Sequence, residues 1–332
     1  MRVSVLAGVG SRLPARQVAN EEVAAEIGKP TEWIYTRSGI RSRHVVEAGV
    51  TTGDLAVEAG RAALRSAGAD TVAAVVVATT TPDRACPATA PAVASRLGLA
   101  GAAAMDIQAV CAGFVYALGT AQGLIAAGTA DSVLVIGADV MSPLRNPADA
   151  GVFPLFGDGA GAVVLRAGQA EEPGALGPTV LGADGRGQDL ITVPGGGCEE
   201  AVGACAAPAN RYLQLRGREV FLRAVECMEA ASRQALDVVG WKVDEVDRVV
   251  PHQANARITA MLGEQLDIAA DRILANIEHV GNTSAASLPV LLDHAHRAGD
   301  LAPGQRVLLT AFGGGLAWGA TTLVWPCLDR PT

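Results

Sequence analysis

Met105-Asp-Ile-Gln-Ala-Val-Cys-Ala-Gly-Phe114 runs from a short apolar strand into the start of a helix, with a thiol, Cys111, at the turn between them. On its N-terminal side Val72–Thr79 (VAAVVVAT) is a continuous apolar run, the pattern of a strand covered on both faces. On its C-terminal side Gly113–Ala127 reads as a helix, and Ser132–Ala138 (SVLVIGA) and Gly161–Leu165 read as further buried strands. The second half of the chain repeats this grammar. Arg218–Val239, Asn255–Leu266 and Ser287–Ala298 carry helical periodicity, while Val246–Pro251, Arg306–Ala311 and Ala320–Val324 read as strands. Alternating strands and helices predict an α/β fold, a mostly parallel sheet covered by helices. The Gly-, Pro- and Glu-rich AGQAEEPGALGP between residues 166 and 180 suggests two similar halves, 1–170 with the Cys and 171–332 after it.

With 332 residues, half of them apolar and 18% charged, the chain can bury a large core. A net charge of −8 without a basic stripe excludes a general nucleic-acid binder. The opening MRVSVLAGVGSRLP reads as a strand and turn and lacks the layout of a signal peptide. Ile107–Ala130 is uncharged, but Gln108, Thr120, Gln122, Thr129 and four glycines interrupt it, so a buried helix is expected rather than a membrane span. Six scattered Cys do not form a disulfide framework, and a reducing cytoplasm is the expected compartment.

Alone, Cys111 reads more readily as an inert core thiol than as a nucleophile. Its place at a helix start, beside Ala112 and Gly113, is where a dipole stabilises a thiolate and a carbonyl can come close. Pro251-His-Gln-Ala-Asn255 puts His252 at the end of a buried strand, where open α/β sheets present their chemistry. His279-Val-Gly-Asn-Thr-Ser-Ala-Ala-Ser287 offers Asn282 in a Gly-flanked turn, a position that also suits a plain cap residue. Ala311-Phe-Gly-Gly-Gly-Leu-Ala-Trp-Gly319 is a glycine run between strands, fit for a ligand's close approach or for a tight connection.

Taken together and in this order, AVCAGF, VPHQAN, GNTSAAS and AFGGGLAWG closely resemble the β-ketoacyl-acyl-carrier-protein synthase III family of the thiolase superfamily. Glu32-Trp-Ile-Tyr-Thr-Arg-Ser-Gly-Ile40 and Phe156-Gly-Asp-Gly-Ala-Gly-Ala162 extend the resemblance over essentially the whole chain. The resemblance implies a five-layered αβαβα thiolase fold of two duplicated halves and a homodimer. It implies Cys111 as nucleophile with His252 and Asn282 as partners, and an oxyanion hole from the backbone N–H groups of Cys111 and Gly314. Phe312 would stand beside the site. Trp33, Arg37, Asn255 and Arg257 would line a tunnel for the pantetheine arm of acyl-CoA or an acyl carrier protein. The chemistry implied is formation of an acyl-Cys and its decarboxylative condensation with a malonyl thioester, with no metal or redox cofactor. Family relatives that instead pass the acyl group to a hydroxyl or amine supply the alternative reading.

Three positions depart from the pattern of the family. Ala150 stands where an Arg commonly faces the Trp, which implies weaker coenzyme A binding or a carrier-protein donor. Leu222 replaces a basic carrier-protein contact, for which Arg218 or Arg223 could substitute. Cys86 stands where a Phe commonly crosses the dimer interface to close the acyl pocket, which implies a larger pocket. Outside these motifs, His294 and His296 are expected at the surface and Cys227 in the core. Cys198 and Cys205 are expected free in a loop, and Asp158 is expected to be structural. Arg41, Arg43 and His44 form a small basic cluster that suits either an acidic ligand or ordinary surface charge.

Overall fold

The computed structural model describes residues 2–204 and 211–329. Apolar strand runs assemble into two sheets, and we label the longer elements in chain order. The first sheet holds β1 (Val3–Arg12), β2 (Ala74–Ala78), β3 (Ala103–Ile107), β4 (Ser132–Asp139) and β5 (Gly159–Gly168), in the spatial order β1-β5-β4-β2-β3. The second holds β6 (Val180–Ala183), β7 (Arg248–Pro251), β8 (Arg306–Gly313) and β9 (Ala317–Val324), in the order β7-β8-β9-β6.

Neither sheet is mostly parallel, contrary to the expectation from alternation. The β4–β2, β2–β3 and β7–β8 pairs are parallel, whereas β1–β5, β5–β4, β8–β9 and β9–β6 are antiparallel. For the β8–β9 pair, connection length is the cause. Only Gly314 to Leu316 separates β8 from β9, too few residues for the crossover a parallel neighbour requires.

Helices make the remaining three layers. Helix α1 (Thr31–Ser38) belongs to an N-terminal excursion. Helix α2 (Thr52–Ala67) covers the outer face of the first sheet. The outer face of the second is covered by α4 (Gly217–Val239), which packs in turn on α5 (Ala256–Leu266). Between the sheets lie α3 (Gly113–Ala126) and α6 (Ser287–Ala298), whose Phe114, Val115, Leu118, Leu288 and Leu291 share one buried cluster with strands of both sheets. The stack is the five-layered αβαβα arrangement. The apolar Ile107–Ala130 stretch supplies α3, buried between sheets. Among the described residues no helix is long and apolar enough to cross a membrane.

A hydrophobic run buried on both sides explains why β2 (AVVVA) shows no alternation: all five residues are buried. Close layer packing depends on small residues at the contacts. A Cβ on Gly137 of β4 would lie 2.3 Å from the Ala285 carbonyl oxygen, so only glycine lets the Asn282-bearing segment rest on that strand.

Candidate active site

Cys111 sits in a single 3-10 turn, Val110–Ala112, immediately before α3. Val110 has φ +47°, a left-handed conformation that a β-branched side chain rarely adopts. The strained residue turns the chain sharply between β3 and α3. From behind, β8 presses close: a Cβ on Gly313 would lie 2.6 Å from the Cys111 amide nitrogen. Gly314 lies next along, where a Cβ would meet the Ile191 carbonyl oxygen at 2.9 Å and the Val110 side chain at 3.3 Å.

His252 follows directly on β7. Its backbone N–H donates to the Thr310 carbonyl at 2.8 Å, continuing the ladder with β8. Its ring is buried, and Nδ1 has no hydrogen-bond partner among the described residues. Burial pushes its pKa down to about 3, so the imidazole is neutral at pH 7.

Asn282 is held by backbone on both sides. Its N–H donates to the Leu155 carbonyl at 3.0 Å, and its carbonyl accepts from the Gly157 N–H at 3.0 Å. Its Oδ1 accepts from the Ser284 N–H at 2.9 Å, which leaves the Nδ2 hydrogens for the cavity that Asn282 lines. The next turn meets the thiol: Cys111 Sγ–H donates to Ser284 Oγ at 3.6 Å. Behind it the buried Asp139 accepts from the N–H groups of Thr80 (2.7 Å) and Ala285 (2.9 Å).

These three side chains share one cavity of about 690 Å³ with Phe312, Trp33, Arg37, Asn255 and Arg257. Its inner walls are apolar, with Met141, Leu155, Phe156, Leu213 and Met228 among them. Desolvation there, with the nearby Asp139 carboxylate, pushes the Cys111 thiol up to about 12, opposed by the Ser284 contact. Burial thus favours the thiol form, against the thiolate that its place at a helix start suggests.

At the other end of the cavity Arg37 stacks on Trp33, its guanidinium carbon 4.5 Å from the ring centroid. Asn255 is the N-cap of α5, its Oδ1 accepting from the Arg257 N–H at 2.9 Å while its Nδ2 donates to the Arg37 carbonyl at 2.9 Å. The expected tunnel residue thus also ties α5 to α1. Cys86 is exposed and lies outside the lining of this chain's own cavity.

Several expectations outside the motifs need correction. Arg43 is fully buried, donating to the carbonyls of Val18 and Pro154 and to Asn20 Oδ1, and burial lowers its pKa to about 10. Arg41 pairs with Glu278, and His44 Nδ1 hydrogen-bonds the Pro14 carbonyl, so this cluster braces the N-terminal excursion and is no anion patch. His296 is buried against Trp325, and His294 is partly buried beside Asn276. Asp158 does clamp loops, accepting from the N–H groups of Val46 and Ser142, and Cys227 is core. Cys198 is exposed and free, whereas Cys205 lies outside the described residues.

One residue escaped sequence reasoning. Gln253 is buried; its N–H donates to Ser287 Oγ at 2.7 Å, and its Oε1 accepts from the N–H groups of Asn276 (3.1 Å) and Ile277 (3.2 Å). It fastens the turn after His252 to the segment leading to Asn282. Its only signal is its place inside VPHQAN.

Stacked layers around the turn that carries Cys111, with His252 and Asn282 brought to the same cavity from the second half, define a thiolase-fold enzyme. Family models described as 3-oxoacyl-[acyl-carrier-protein] synthase III and its C-terminal region match residues 105–185 and 236–325. Beta-ketoacyl-[acyl-carrier-protein] synthase III 3 of Streptomyces coelicolor is 54% identical over 99% of both chains. The crystal structure of 3-oxoacyl-(acyl carrier protein) synthase III from Pseudomonas aeruginosa PAO1 superposes with a TM-score of 0.93, at 47% identity over 99% of this chain and 100% of that one. That of the priming beta-ketosynthase from the R1128 polyketide biosynthetic pathway does so at 0.92, with 37% identity over 99% and 98%. The chain belongs to the β-ketoacyl-acyl-carrier-protein synthase III family.

Proposed function

We propose that the protein is a decarboxylating condensing enzyme that primes chain assembly from an acyl thioester. The observation that carries this reading is that Cys111, His252 and Asn282, buried side chains from three distant segments, line one cavity with Phe312. In the first half-reaction Cys111 Sγ bonds to the carbonyl carbon of an acyl thioester. The bond to the departing pantetheine sulfur breaks, and the proton of the thiol ends on that sulfur. The backbone N–H groups of Cys111 and Gly314 receive the oxyanion, each contributing roughly 3 kcal/mol.

In the second half-reaction a malonyl thioester loses CO₂, and the electron pair of the broken C–C bond passes into an enolate. Neutral His252 and the Asn282 amide each donate a hydrogen bond to the thioester oxygen that carries the charge. A neutral imidazole can fill this role, since one of its two ring nitrogens carries an N–H. The enolate carbon then bonds to the acyl carbonyl, the C–S bond to Cys111 breaks, and the thiolate recovers a proton. This sequence needs no metal or redox partner.

The same reading makes acyl-CoA and an acyl carrier protein the substrates' bearers, with Trp33, Arg37, Asn255 and Arg257 along the pantetheine path. Residues 1–170 and 171–332 form the two halves of a cytoplasmic, homodimeric enzyme. β3, at one end of the first sheet, offers an edge to a second copy. Cys86, exposed here, would reach the acyl pocket of that copy, leaving room for longer or branched chains than a Phe would. Intact-mass spectrometry with a panel of acyl thioesters should show an adduct on the protein that disappears in Cys111→Ala. CO₂ released from the malonyl donor should match new C–C bonds one for one. Acyl transfer to an alcohol or amine without CO₂ would replace this reading with the non-condensing one.

A further inference from the structure

The proposed substrates approach Cys111 as thioesters on a pantetheine arm whose far end carries a phosphate, so that end stays at the mouth of the cavity. Arg37, Arg218 and Arg257 all line the cavity and are exposed. Asp149 is the single carboxylate in the lining, and its Oδ1 is already engaged by the N–H groups of Gly151 and Val152. A chain of net charge −8 thus gathers uncompensated positive charge at one opening.

The two arginines near Leu222 differ in what they can do. Arg223 is absent from the cavity lining and is paired with Asp184 at 3.1 Å and Glu226 at 2.8 Å. Arg218 has no side-chain partner among the described residues, although Glu219 is its neighbour in the first turn of α4. It lies four residues before Leu222, which lines the same mouth and is 60% exposed. Ala150, between the lining residues Asp149 and Gly151, offers no cation. Resting on the condensing-enzyme reading, we infer that Arg218 is a specificity-determining residue that binds the phosphate of the pantetheine arm, drawing it to the α4 side of the mouth.

Steady-state kinetics with three malonyl donors tests this: malonyl-carrier protein, malonyl-CoA and the phosphate-free malonyl-N-acetylcysteamine. Arg218→Gln should raise KM about fivefold for both phosphate-bearing donors, with kcat held. The ratio of KM between phosphate-free and phosphate-bearing donors should fall by the same factor, and the effect should shrink as salt screens the contact. Arg223→Gln should match the parent enzyme. An equal rise with the phosphate-free donor would mark a merely structural role and overturn the inference. So would a rise with the carrier protein alone, which would place Arg218 on a protein surface, or no rise at all. Failure of the condensing reading shows separately, as a parent enzyme that releases no CO₂ from any donor.

Discussion

The two ends of the cavity are built on opposite principles. At the floor, Cys111, His252 and Asn282 are buried, uncharged at neutral pH, and attached to segments whose backbone is pinned by strand ladders or cross-segment hydrogen bonds. At the mouth, Arg37, Arg218 and Arg257 are exposed and charged, and no ion pair holds them among the described residues. A buried group out of place cannot be rescued by water, so the floor is over-determined. An exposed guanidinium recognises a phosphate at long range and tolerates several geometries, so the mouth can vary without loss of the chemistry. Reaction and recognition therefore respond to substitution on different scales.

The sharpest way to break the contrast is to titrate the thiol. With its pKa pushed up to about 12, Cys111 should be alkylated by iodoacetamide about 10³-fold more slowly at pH 8 than a free thiol, and the rate should still climb tenfold per unit at pH 10. A plateau near pH 7 would mean a preformed thiolate and a charged floor. Next, His252→Ala and Asn282→Ala should each lower decarboxylative condensation about 10²- to 10³-fold. Acyl-Cys111 formation, read by intact mass, should persist in both.

The buried imidazole also makes a prediction about stability. Burial holds the folded pKa of His252 at about 3 against 6.5 for a solvated imidazole, so between these values the unfolded chain binds more protons than the folded one. Its contribution is thus complete above pH 6.5 and is lost as pH falls through that window. By pH 4.5 the loss should reach about 2–3 kcal/mol. Chemical denaturation at pH 7 and 4.5 measures it, and His252→Asn should flatten the difference. The smallest effect belongs to the mouth: Arg37→Ala should raise KM for acyl-CoA only about fivefold, with kcat unchanged in steady-state assays.

Much of the floor was legible in the sequence because chemistry there rests on short contiguous motifs. Alone, Cys111, His252 and Asn282 each also suited a purely structural role, and Phe312 entered only with the resemblance; the joint order of their motifs along the chain is what made them candidates, and the structure brings all four to one cavity. Residues that act through a distant partner were misread or missed. Arg43 looked like surface charge because its acceptors, Val18, Asn20 and Pro154, come from three remote segments. His296 looked exposed because helical spacing alone does not place Trp325 over its face. Gln253 looked like filler until its bonds to Ser287, Asn276 and Ile277 appeared.

Of this protein, the sequence by itself determined the elements: apolar runs for buried strands, periodic stretches for helices, and glycines where backbones must touch. It also determined the chemical kinds of group available, since motif residues state their own reactivity. Only the tertiary structure decided which edges pair antiparallel, which arginines line the cavity and which are buried braces, and that burial pushes the Cys111 thiol up. Those properties depend on solvent exclusion and on contacts between segments far apart in the chain, and neither is written in local pattern.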